Sequence, residues 1–323
     1  MSISRRHLAA AGAALAMGGG AARAQTAWPD RGVRVVVGFP AGGPTDFPAR
    51  LLQDPLQQLW GQPMVIENRA GASSVLASEV VAKAAPDGYT MLMGASVHAS
   101  NPAVYPRLPY DTLRDFTPIV AIYGSPTVLF VAPDSPFRTP ADLVAELRRN
   151  PGLTNATSGN GASGHFAAAM FALQHKVEIT SVAYRGAAPA FQDAMTGRVA
   201  MSFGTLSGAL ALARDGKLRA LAICAPNRVP VLPDVPTLAE FNLGIPDTSP
   251  WYGYIGPANM PPAVVNKIAT DVQAVLRRPD IARRITETGG VILAEGPEVF
   301  AQRIRHEMAE TAQVARAAGI RSE

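Results

Sequence analysis

The sequence predicts an α/β protein of two lobes joined by two chain crossovers around a central cleft. Three observations carry that expectation: strand-like runs alternate with helix-like runs, two proline-marked passages divide the chain, and the length suits two lobes. Residues 33–39, 64–67, 90–94, 127–132, 179–184, 199–203 and 218–224 read as strands separated by Ala/Leu-rich amphipathic segments. That alternation is the pattern of parallel β-α-β construction. Helix starts are marked by Thr139-Pro140-Ala141-Asp142, a capping hydroxyl with proline at the first helical position, and by Thr237-Leu238-Ala239-Glu240, a capping box. Residues 261–278 and 297–318 read as long amphipathic helices with no strong strand between them, expected to pack outside a lobe rather than extend its sheet. Crossovers near 123–126 and 247–250 place residues 25–126 and 250–323 in lobe 1 and 127–249 in lobe 2. A ligand then sits at the carboxyl ends of the strands.

Residues 1–24 have the build of an export signal: Arg5-Arg6-His7, an Ala/Gly-rich apolar run from Leu8 to Ala22, and Ala22-Arg23-Ala24 as a small-residue cleavage site. The run is short and broken by glycines, which argues against a permanent membrane span. Ser4-Arg5-Arg6-His7-Leu8 fits both an ordinary secretory signal and a twin-arginine one. Removing the signal takes three of the 29 basic residues and no acid, so the net charge falls from +4 to about +1. No basic cluster interleaved with aromatics remains, and nucleic acid is not an expected partner. The single cysteine, Cys224, lies in an apolar run and reads as a core residue.

Three glycine turns lie where a strand passes into a helix. Gly38-Phe39-Pro40-Ala41-Gly42-Gly43-Pro44-Thr45-Asp46 is the first, and it reads both as a structural turn and as an anion site. In the second reading, glycines let backbone N–H groups approach a ligand, and the helix start adds unsatisfied donors with a partial positive charge. It is neither a Walker loop nor a dinucleotide fingerprint. Ser158-Gly159-Asn160-Gly161-Ala162-Ser163-Gly164-His165 and Tyr184-Arg185-Gly186-Ala187-Ala188-Pro189-Ala190 repeat the arrangement in the middle segment. Hydrogen bonds to a charged carboxylate are worth about 1.5–3 kcal/mol each, so a few suffice without an arginine in the first two loops. Arg50 reads as a structural ion-pair partner. The Trp251-Tyr252-Gly253-Tyr254 run reads as core packing, with a cleft wall as the other option.

Ser163 and His165 invite a hydrolase reading, but the elbow pattern fails, because Gly164 follows the serine directly. Neighbours two apart at a helix start do not face each other, so no catalytic residue is expected. His98, His165, His175 and His306 are scattered without ligand spacing, and no metal or cofactor is expected.

At this point the sequence resembles the tripartite tricarboxylate transporter substrate-binding proteins, the Bug-type receptors. The resemblance rests on Phe39-Pro40-Ala41-Gly42-Gly43-Pro44-Thr45-Asp46 with Ala49-Arg50, Glu67-Asn68-Arg69-Ala70-Gly71-Ala72, Ala85-Pro86-Asp87-Gly88-Tyr89-Thr90 and Asn101-Pro102-Ala103-Val104-Tyr105. Tyr184-Arg185-Gly186 with Ala188-Pro189-Ala190, and residues 233–240, extend it over nearly the whole mature chain. It implies a type II periplasmic binding protein, a flytrap that receives a small di- or tricarboxylate, acidic amino acid or aromatic acid and passes it to membrane permease subunits, acting as a monomer without a cofactor. A receptor for a membrane signalling partner would share every cleft residue. The matching positions imply ligand binding by Phe39, Pro40, Ala41, Gly43, Thr45 and Asp46, with Ser96, His98, Gly161, Ser163, His165, Tyr184, Gly186 and Gly204 completing the cleft. Departures from the pattern are Pro55, expected to kink or end the first helix, Ser73-Ser74 in place of glycines, Met170 in place of an acid, and Gly204-Thr205 where an Asp or Asn is usual.

Overall fold

The chain opens on β1 (Val33–Val37), four of whose five residues are valine, a composition suited to a strand covered on both faces. The computed structural model describes residues 28–321, so the expected signal at 1–24 and its cleavage point lie outside the described residues. After β1 come α1 (Asp46–Trp60), β2 (Met64–Asn68), α2 (Val75–Ala82), β3 (Thr90–Ala95), α3 (Val97–Val104) and β4 (Phe116–Gly124). The middle segment holds β5 (Thr127–Val131), α4 (Pro140–Arg149), β6 (Leu153–Thr157), α5 (Ser163–His175), β7 (Ile179–Ala183), α6 (Ala187–Met195), β8 (Ser202–Thr205), α7 (Leu206–Arg214) and β9 (Arg219–Ile223). The chain ends with β10 (Trp251–Pro257), α8 (Pro262–Leu276), α9 (Pro279–Thr286), β11 (Val291–Glu295) and α10 (Pro297–Ala318).

One sheet has the order β11-β4-β10-β3-β1-β2; a second has β8-β5-β9, with the parallel pair β6-β7 beside it. An isolated bridge from Asn155 to Met201 ties that pair toward β8, and the Phe203 N–H donates to Asn155 Oδ1 at 2.8 Å. The chain leaves the first sheet after Gly124, enters the second at Thr127 and returns at Trp251, giving the two lobes and two crossovers of the expected fold. The crossing segments run side by side. Ser125 N–H donates to the Pro250 carbonyl at 3.0 Å, and Thr127 Oγ1 donates to the Thr248 carbonyl at 3.0 Å.

Strand direction departs from the parallel expectation. β10 is antiparallel to both β3 and β4, and β5 is antiparallel to both β8 and β9. A strand that re-enters a sheet from the other lobe arrives from the opposite end, which reverses it. Four strands were absent from the sequence reading: β4 carries Pro118, β6 is the polar run LTNAT, β10 carries two glycines, and β11 lies between two strong helical patterns. β11 also corrects the late-chain expectation, because it pairs with Gly124 and Tyr123 of β4 and extends the sheet as an edge strand. α1 runs unbroken through Pro55. Proline costs that helix one intrahelical hydrogen bond, but Leu51, Leu52, Leu56 and Trp60 are buried on either side, and each such burial contributes about 1.5–3 kcal/mol.

Each sheet carries its own core. In the first, Val36, Leu92, Ala121, Ile255, Phe300 and Ile304 pack together; in the second, Leu129, Leu143, Phe171 and Phe203 lie on one face and Val128, Phe130, Phe191 and Leu206 on the other. The capping boxes at Thr139 and Thr237 are both present. Cys224 is buried in the second core, and burial pushes its thiol well above the usual range. No helix among the described residues is long and apolar enough to cross a membrane.

Candidate functional site: a cavity ringed by helix N-termini

Between the two sheets lies a cavity of about 170 Å³. Its walls bring together the first glycine loop from Phe39 to Thr45, Ser96, the turn from Ala162 to Gly164, the turn from Arg185 to Phe191, and residues 202–205. The first two belong to segments around the first sheet and the rest to segments around the second.

The N-cap residues of five helices line this one cavity: Thr45 for α1, Ser96 for α3, Ala162 for α5, Gly186 for α6 and Thr205 for α7. None of the five caps its helix with a side-chain hydrogen bond. The first N–H groups of an α-helix have no partner within it, and they carry the positive end of the helix dipole. Among the described residues, the N–H groups of Ser163 and Gly164 on α5 and of Ala187 and Ala188 on α6 meet no protein acceptor. The α1 and α7 starts are different: Asp46 and Phe47 N–H both donate to the Gly43 carbonyl at 3.0 Å, Leu206 N–H donates to the Pro126 carbonyl at 2.8 Å and Ser207 N–H to Ser125 Oγ at 3.0 Å. Arg185, exposed, is the one charged side chain on the cavity wall among the described residues.

Of the expected ligand contacts, Phe39, Pro40, Ala41, Gly43, Thr45, Ser96, Ser163, Gly186 and Gly204 line the cavity. The other five do not. Asp46 is 0% exposed and works behind the loop: its carboxylate accepts from Gly42 N–H at 2.9 Å, Arg50 Nε at 2.6 Å and Asn68 Nδ2 at 2.8 Å. Those bonds hold its pKa below the ordinary carboxylate value against the opposing effect of burial. Gly42, with φ of +79°, is the member of the glycine pair whose backbone needs glycine, whereas Gly43 has an ordinary backbone and room for a Cβ.

His98 is 1% exposed, stacks on Tyr110 and meets Phe116 edge-on, with both ring nitrogens unpartnered among the described residues. It is a core residue because the second position of α3 faces inward. Gly161 and His165 form a local cap in which Gly161 N–H donates to His165 Nδ1 at 3.2 Å. His165 lines a separate hollow beside Lys176 and shares no hydrogen bond with Ser163. Tyr184 turns from the cavity and donates to Asp193 Oδ2 at 2.6 Å, so the Tyr-Arg-Gly turn contributes its arginine and glycine instead.

The expected ligand contacts left out Pro44, Arg185, Phe191, Phe203, Thr205 and Gly208, which line the cavity, as do Gly42 of the first glycine turn and Tyr252 of the run offered as a cleft wall. Position relative to a helix start would have found Arg185 and Thr205, and nothing local marks Phe191. Tyr252 stacks on Tyr123 at 4.8 Å between ring centroids, so the Trp-Tyr-Gly-Tyr run serves both as central strand and as cleft wall.

Two contacts join segments of different sheets beside the cavity. Ser73 Oγ donates to the Asn160 carbonyl and Ser100 Oγ to the Gly161 carbonyl, each at 2.7 Å. Ala72, Ser73 and Ser74 all have left-handed φ, at 45°, 48° and 72°, a strained path for three residues with side chains. That path replaces the expected glycines and brings the Ser73 hydroxyl across.

Two α/β lobes with a cavity between them, entered by paired crossing segments, define a periplasmic solute-binding protein. The chain belongs to the tripartite tricarboxylate transporter family of receptors, whose profile matches residues 48–320. It is 36% identical over 311 residues to the UPF0065 protein in the tcbD–tcbE intergenic region of Pseudomonas sp. strain P51, covering 95% of this chain and 92% of that one. Among solved structures it is similar to R. palustris Rpa4515 with adipate, at 35% identity and a TM-score of 0.86 over 90% of this chain and 98% of that one. It is also similar to MatC from Rhodopseudomonas palustris with bound malate, at 32% identity and a TM-score of 0.82 over 89% and 99%. These proteins are receptors of the periplasmic type.

Proposed function

We propose that this chain is a non-enzymatic receptor, exported to the periplasm by residues 1–24, that closes on a small carboxylate and delivers it to the permease subunits of a tripartite transporter. Residues 25–126 with 250–323 form one lobe in this reading, 127–249 the other, and the receptor acts as a monomer. The convergence of five helix starts on one cavity, with the first N–H groups of α5 and α6 free of protein acceptors, carries the proposal. Such a ring of N–H groups suits an anion, and with one arginine on the wall the backbone supplies most of the donors. The adipate and malate in the two neighbouring structures support a carboxylate as that anion. Phe39, Pro40, Ala41, Gly43, Thr45, Ser96, Ser163, Gly186 and Gly204 are the proposed ligand contacts, and Asp46 positions their loop.

Closure fixes the relation of the lobes, which is what a membrane partner can recognise. A thermal-shift and calorimetry panel of small carboxylates tests the reading. At ligand one hundredfold above Kd, binding adds about 2.7 kcal/mol to stability, a shift of several degrees. No response to any carboxylate, in protein purified free of bound ligand, overturns it.

A further inference from the structure

We propose that the ligand of this chain carries a single carboxylate and an uncharged tail about the size of one ring, with the tail seated against Phe191. The inference rests on the reading of the cavity as a carboxylate site and narrows it. The cavity has two chemically different ends. At one, Pro40 faces Gly186 so closely that a Cβ on the glycine would lie 3.3 Å from Pro40 Cδ, and there stand Arg185 and the free N–H groups of Ala187 and Ala188. This is the end that holds a charge.

At the other end the ring of Phe191, 3% exposed, takes the space a side chain at 204 would occupy. A Cβ on Gly204 would lie 2.4 Å from that ring, and one on Gly208 would lie 3.2 Å from it. Among the described residues no carboxylate, lysine, arginine or histidine lines this end. Its side-chain polar groups are the hydroxyls of Ser202, Thr205 and Tyr252; Ser202 Oγ donates to the Ala156 carbonyl at 2.9 Å, and burial keeps the phenol neutral. The first N–H groups of α7, the helix that starts here, are already spent on Pro126 and Ser125. A second carboxylate at this end would lose its hydration and meet neutral donors but no cation. The volume agrees with a compact tail, since a protein cavity of about 150 Å³ holds a benzene ring and this one is about 170 Å³.

The test is calorimetry of the intact protein with matched pairs: benzoate against terephthalate, and hexanoate against adipate, with benzamide as the uncharged control. In each pair that gives a heat, the monoacid binds at least about tenfold more tightly, which corresponds to 1.4 kcal/mol. Equal or tighter binding of the diacid overturns the inference and leaves the carboxylate reading standing. Heat from neither pair overturns the inference, and benzamide binding as well as benzoate overturns both. Arg185→Gln, at the exposed rim, weakens the bound monoacid about tenfold and does not raise the diacid above it. A larger loss for the diacid than for the monoacid would place a second carboxylate on Arg185 and count against the apolar end.

Discussion

His98 shows how a side chain in a binding-site motif can serve the core instead. Burial between Tyr110 and Phe116 pushes its pKa down to about 4. The unfolded chain takes up a proton near the ordinary histidine value of about 6.5, whereas the folded chain holds off until about 4. Its neutral ring therefore costs nothing above pH 6.5, and stability is lost as the pH falls from there toward 4, by about 2 kcal/mol at pH 5. His98→Phe, which keeps an aromatic ring in the cluster, removes that slope in urea denaturation compared at pH 7 and pH 5; an unchanged slope would assign it to another group. The motif around Ser96-Val97-His98 was legible in the sequence, but which of its side chains faces the cavity was not, because a helix start sends successive residues to different sides. Asp46 teaches the same lesson, with a carboxylate that shapes the loop from behind through Gly42, Arg50 and Asn68.

At the scale of elements, periodicity located the strands whose residues are apolar and β-branched, such as β1 and β5, and the helices with marked starts. It missed β4, β6 and β10, whose proline, polar or glycine content reads as loop and whose strand character comes from their neighbours, and β11, an apolar run set between two helical patterns. Pro55 is the complementary case: a residue that ends helices in isolation is carried here by the apolar face around it. Replacing it restores the donor to the Leu51 carbonyl, so Pro55→Ala raises unfolding stability by about 1–3 kcal/mol, measured in urea. No gain would show that this carbonyl is satisfied in another way. The three glycine turns were visible as strand-to-helix junctions, and the structure adds that α3 and α7 begin at the same cavity, α3 after a single glycine, Gly94, rather than a glycine-rich turn.

The whole molecule is described with its lobes in contact, held beside the cavity by Ser73 on Asn160 and Ser100 on Gly161. Each such bond is worth about 1 kcal/mol net, so Ser73→Ala with Ser100→Ala loosens closure and weakens ligand binding about tenfold or somewhat more. Faster ligand release in stopped-flow measurements, with the melting temperature of the ligand-free protein nearly unchanged, is the expected result. Unaltered release would mean that the bound ligand alone holds the lobes together.

The sequence by itself determined the α/β class, the two crossovers, the glycine turns and the resemblance to a receptor family, since each is written in local pattern or in short motifs. Only the tertiary structure decided that β10 runs antiparallel in the middle of its sheet, that five helix starts share one cavity, and that Phe191 fills the space beside Gly204. The reason is physical: hydrophobic period and turn chemistry act over a few residues, whereas the charge and shape of a cleft come from backbone groups and rings brought together across more than a hundred positions of chain.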